Sequence, residues 1–128
     1  MLQRDYLLRM IEQAMRAVVR ALRLVEERKP EEAQDAIDQA YSVLGFDREI
    51  IEVLAPGSAV TLIDVDKRVP ARLLFLCEAE LALAQGKRVR ARRKAALAEH
   101  LHASLEAAGD EQTDVAQRLR ALKARIAL

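Results

Sequence analysis

Ala21, Leu24, Ala33, Ile37 and Ala40 are matched 58 positions later by Ala79, Ala82, Ala91, Ala95 and Ala98. Small or medium side chains at helical steps on both sides of a turn let two antiparallel backbones approach closely. A chain that carries this spacing twice has two helical hairpins to bury. Composition points the same way. The 23 Ala and 19 Leu are the strongest helix formers, while four Gly and three Pro leave few of the turns that a sheet needs. With two Phe, two Tyr and no Trp, the core has to be built from small and medium side chains. The fold class read from the sequence is all-α, with five to six helices in two antiparallel hairpins and an irregular bridge.

At 128 residues the chain suits one domain, 1–128. The first hairpin spans about 3–45. In its long opening helix, Leu7, Ile11, Ala14, Val18, Leu22 and Val25 recur at three- and four-residue steps. Tyr6, Met10, Ala17, Ala21 and Leu24 form a second apolar line beside the first, so the face is too wide for one partner helix. Its second helix opens on Pro30, Glu31 and Glu32 and stops at Gly45. The bridge, 46–68, holds a short helix capped by Asp47 and a Pro56-Gly57 turn, with Ser58, Asp64 or Asp66 as further caps. The second hairpin, about 69–108, begins with the most apolar helix, apolar on most sides and so central. A last helix, 113–127, carries Val115, Leu119, Leu122 and Ile126 on one stripe, which must pack inward or against another subunit.

The small-residue spacing around each turn resembles the tetratricopeptide (TPR) helical hairpin. The family's aromatic positions are Leu24 and Ala82 here, its later bulky position is Ile37 and Ala95, and the two units lie 58 residues apart where the family uses 34. The resemblance implies hairpin geometry and a role in protein interaction, without the family's peptide groove. The opening "QRDYLLRMIEQ" with "KPEEAQDAIDQAYSVLG" is also similar to a group of small, uncharacterised bacterial proteins, which brings no activity with it.

The net charge of +1 hides strong blocks: +3 over 1–29, −8 over 30–66, +7 over 67–94 and −1 over 95–128. Six cations, Lys87, Arg88, Arg90, Arg92, Arg93 and Lys94, crowd the start of one helix, where they oppose its dipole and repel one another. Something must offset them. The acidic block of the same chain or of a second copy, an acidic partner protein, and a phosphate backbone are all available. On the helical wheel the six form a collar, where a groove-binding stripe would be one-sided, and no aromatic side chains interleave them for base stacking.

No catalytic constellation emerges. His100 and His102 are two residues apart on a helix and point away from each other, which rules out joint metal ligation. Cys77, in "LLFLCEAELAL", reads as a buried thiol acting as a small hydrophobe. Glu78 and Glu80 share a helix with Arg72 and read as its exposed edge. A lone Cys, a charged N-terminus and the absence of a long uncharged apolar run point to a soluble cytoplasmic protein with no membrane span. The expected function is a non-enzymatic protein–protein interaction or scaffold module without cofactor or metal. It would form a homodimer through Leu7, Ile11, Val18, Leu22, Val25, Val115, Leu119, Leu122 and Ile126. The alternative is a nucleic-acid-binding accessory protein that uses residues 87–94.

Overall fold

The computed structural model describes residues 2–110 and 112–127. Seven α-helices and no strand occur among them, so the chain is all-α: α1 (Leu2–Glu26), α2 (Pro30–Leu44), α3 (Arg48–Val53), α4 (Pro56–Ala59), α5 (Arg68–Ala84), α6 (Arg88–Ala107) and α7 (Thr113–Ala127). Two 3-10 turns, Val60–Leu62 and Val65–Lys67, lead from α4 into α5. The most extensive packing is of α1 on α2 and of α5 on α6.

The repeat seen in the sequence returns in the turns of these two pairs. Lys29 N–H donates to the Leu24 carbonyl at 2.9 Å, and Lys87 N–H donates to that of Ala82 at 2.8 Å. Arg28 N–H donates to Val25 and Gly86 N–H to Leu83, at 3.1 and 3.0 Å. Each turn thus closes with the same pair of bonds to the last carbonyls of its first helix. Beyond them, the paired positions Ala21 and Ala79, Leu24 and Ala82, Ala33 and Ala91, Ile37 and Ala95, and Ala40 and Ala98 are all buried.

As its apolar surround implies, α5 lies at the centre, packed on α1, α2, α6 and α7. Ala71, Leu74, Phe75, Leu76, Cys77 and Ala79 on it have no exposed surface. The bridge departs from the irregular segment expected, being mostly short helical turns. Asp47 caps α3 through a bond from Ile50 N–H at 3.2 Å. Ser58, Asp64 and Asp66 cap nothing with their side chains, because successive 3-10 and α turns satisfy the backbone from one element to the next.

One position strains the repeat. Gly86 sits at φ 74 without steric cost, but its counterpart Arg28 adopts φ 60. A side-chain-bearing residue there loses about 1 kcal/mol to contact between its Cβ and the backbone. Arg28→Gly is therefore expected to raise stability by about 1 kcal/mol, somewhat less after the added freedom of the unfolded chain. Urea unfolding midpoints of the two proteins measure it, and an unchanged or lower midpoint contradicts the strain argument.

Candidate functional site

The basic run is not a free collar. Lys94 has no exposed surface, and its Nζ lies 2.6 Å from Glu52 Oε1, 3.4 Å from Glu78 Oε2 and 3.3 Å from the Tyr41 hydroxyl. Arg90 approaches the same two carboxylates, Glu78 at 3.4 Å and Glu52 at 3.8 Å. Arg93 donates to the carbonyls of Ile51 and Leu54, the latter at 2.6 Å, and so binds the C-terminal end of α3. Arg88 donates to the Ile126 carbonyl at 2.5 Å near the end of α7. Lys87 and Arg92 are exposed and have no ion pair among the described residues.

Around Lys94 the network is closed and balanced. Arg48, on α3, pairs with Asp38 at 2.8 Å, reaches Glu78 at 3.8 Å and stacks over the Tyr41 ring, 4.0 Å from its centroid. Three cations (Arg48, Arg90, Lys94) thus face three carboxylates (Asp38, Glu52, Glu78), drawn from α2, α3, α5 and α6. Tyr41 links them: its hydroxyl accepts from Lys94 and donates to Glu78 Oε1. A lone ammonium at this depth costs several kcal/mol, which explains the number of partners.

The electrostatics follow from burial and charge together. Burial pushes Glu78 above the ordinary carboxylate range, against the pull of Lys94. Burial and the neighbouring charge of Glu78 raise Tyr41, so its hydroxyl keeps its proton. Glu52 moves the other way. Burial would raise it, but the hydrogen bond and charge of Lys94, with Arg90 and Arg93 behind, hold it below the usual range.

Two further polar clusters clamp α5. Arg72, expected beside Glu78 and Glu80, instead points at Asp110 (3.3 Å) and His102 Nδ1 (3.0 Å) and is buried. Since a guanidinium only donates, Nδ1 is the acceptor and Nε2, 3.3 Å from Glu106, carries the ring proton. Glu80 receives a two-pronged bond from Arg118 of α7, at 2.6 and 2.8 Å, and the same guanidinium reaches Glu26 at 3.0 Å. Glu78 and Glu80 are therefore not an exposed edge. Both are buried because helices lie on every side of α5.

His100 packs on Gly57, whose added Cβ would meet its ring at 3.4 Å, so the two histidines face different neighbours. Among the described residues no group of three His, Cys, Asp or Glu side chains is placed to hold a metal. Burial, with Glu80 and Glu78 adding to it, pushes the Cys77 thiol up to about 12.

Of the nine apolar residues expected to mediate self-association, Val18, Leu22, Leu119, Leu122 and Ile126 are buried within one chain. The α7 stripe closes inward on α6 and α5. Val25 and Val115 are half-buried against the core. Leu7 and Ile11, also half-buried, lie beside Tyr6 at 71% and Leu8 at 50% exposure, and Val18 lies beside Val19 at 45%.

Sequence reasoning missed Tyr41, Glu52 and Glu78 as partners of the basic run. The available signal was the wheel: Lys94 and Arg90 flank the Ala91–Ala95–Ala98 stripe on the same side. Compared with protein-family models, curated proteins and solved structures, the chain matches none. No helix among the described residues is long and apolar enough to cross a membrane.

Three outcomes follow from these contacts. Lys94→Ala leaves the buried Glu78 with only the half-exposed Arg90 at 3.4 Å and Arg48 at 3.8 Å, and is expected to cost about 3 kcal/mol in urea unfolding, while Lys94→Met with Glu78→Gln recovers most of it. Glu52 has a depressed folded pKa, so its contribution is complete above the unfolded value and fades as pH falls through the folded one. The stability gap between wild type and Glu52→Gln should accordingly shrink on acidification from neutral pH through the carboxylate range; a constant gap contradicts this. Cys77 should not react with a disulfide reagent until the protein is unfolded, and reaction at the rate of a free thiol would show that the core opens there.

Proposed function

We propose that the chain is a non-enzymatic protein-interaction module, built on TPR-like hairpins, that self-associates through the first half of α1. The observation that supports this is the length of α1. It has 25 residues against 15 in α2, so in an antiparallel hairpin its N-terminal turns extend past the end of α2. The apolar stripe that is buried from Ala14 onward continues into this overhang as Leu7, Met10 and Ile11, flanked by Tyr6 and Leu8. A stripe of this kind on turns that extend past the paired helix is suited to a second helix. The most economical second helix is the same one from another copy, related by a two-fold axis. An antiparallel pairing centred on Leu8 sets Arg4 of one copy opposite Glu12 of the other, twice. The acidic and basic blocks, for which the sequence leaves the same chain and a second copy both open as partners, have much of their pairing inside one chain through Glu52, Arg90 and Lys94.

Light scattering on the eluting protein tests the reading. Wild type should elute as a dimer at micromolar concentration, and Leu7→Gln with Ile11→Gln as a folded monomer. A wild-type monomer across the micromolar range removes the self-association.

The second reading, a nucleic-acid accessory role, retains Lys87 and Arg92 as exposed cations of the run. With Arg88, Arg90, Arg93 and Lys94 engaged by the chain itself, it has lost most of its phosphate contacts. Random-sequence DNA and RNA should not bind even at low salt. Micromolar binding that falls steeply with salt and disappears in Lys87→Ser with Arg92→Ser would favour this reading instead.

A further inference from the structure

At the end of α1 opposite the overhang, a groove of about 650 Å³ opens between the α1–α2 turn, the last turn of α5 and one side of α7. Its apolar lining is Val25, Pro30, Leu81 and Ala84, of which the buried Leu81 makes the floor. Arg28, Lys29, Arg118 and Arg125 also line it, against only Glu26 and the buried Glu80. Arg118 is consumed by those two carboxylates, and Lys29 lies 3.7 Å from Glu27. Arg28 and Arg125 have no ion pair among the described residues.

We infer that this groove binds an acidic peptide segment of a partner protein, with an apolar side chain on the floor and flanking carboxylates on Arg28 and Arg125. Three observations converge on it. The groove has the size and the mixture of apolar floor and few polar groups that ligands use. Its uncommitted charge is positive. Near the ends of α1 and α5, the Leu24, Val25, Ala82 and Leu83 carbonyls, which would repel an anion if bare, accept backbone bonds from Lys29, Arg28, Lys87 and Gly86 respectively.

Arg28 adds an independent argument. The same turn is made with glycine in the second hairpin, so the left-handed φ at residue 28 favours glycine and an arginine there is strained. The side chain that the strain carries is one that lines the groove. Retaining it makes physical sense if the guanidinium binds something. This site is independent of self-association, being about 30 Å along α1 from Leu8.

The test uses a fluorescein-labelled hexapeptide of alternating leucine and glutamate and its leucine–lysine counterpart, with anisotropy read on the full-length protein across a salt series. Micromolar binding of the glutamate peptide alone, weakening with salt, is expected. Arg28→Gly and Arg125→Ser should each weaken it about tenfold, with Arg92→Ser unchanged. Arg28→Gly is informative because it is expected to be at least as stable as wild type, so its loss of binding is not loss of fold. Equal binding of both peptides, no binding at low salt, or full binding by Arg28→Gly overturns the proposal. Binding of decanoate without the peptide would make the groove a site for a fatty anion and overturn it likewise. Each outcome is readable whether the protein is a monomer or a dimer.

Discussion

The ammonium of Lys94 is the constraint on which the arrangement of this molecule turns. Placed at the centre of the bundle with no exposed surface, it is tolerable only while Glu52, Glu78 and the Tyr41 hydroxyl remain in place. Those partners come from three different helices. Holding Glu52 draws α3 down onto α6, and Arg93 then secures α3 by its terminal carbonyls. Holding Tyr41 ties α2 of the first hairpin to α5 and α6 of the second. A hydrophobic core alone would leave the rotation of one hairpin against the other weakly specified, since Ala and Leu stripes pack in many registers. Directional charge contacts narrow the choice to one.

The core and the polar clusters divide the labour. Small residues let α1 approach α2 and α5 approach α6, and the two turns close by the same pair of backbone bonds. Between the pairs, α5 is enclosed on all sides, so its polar residues need partners from other elements: Arg72 finds Asp110, Glu78 finds the cations around Lys94, and Glu80 finds Arg118. The pattern is incomplete at the two places on which the proposed interactions rest. They are the overhanging stripe of α1 and the groove where a strained Arg28 and Arg125 have no ion pair among the described residues.

Much of the architecture was legible from residue spacing. Helical period, the stop at Gly45, the Asp47 cap and the central position of α5 are local or nearly local properties, and the 58-residue repeat of small residues falls on the two turns whose closing bonds match. The short turns of the bridge were less legible, because 3-10 segments lack an apolar period and need no side-chain cap. The charge partners were legible only as a requirement. Six cations at one helix start had to be offset, but Glu52 and Glu78 are 42 and 16 residues from Lys94, and no local pattern selects them from the other carboxylates.

By itself the sequence determined that the chain is helical, where its long helices begin and end, and that two close-packed pairs form, because these depend on propensity and on period within a single helix. Only the tertiary structure decided which charges are buried and with whom, that the α7 stripe turns inward, and which apolar surface is left uncovered. Those outcomes depend on how whole helices are oriented against one another. Distances between side chains far apart in sequence are set by that packing and not by any spacing along the chain.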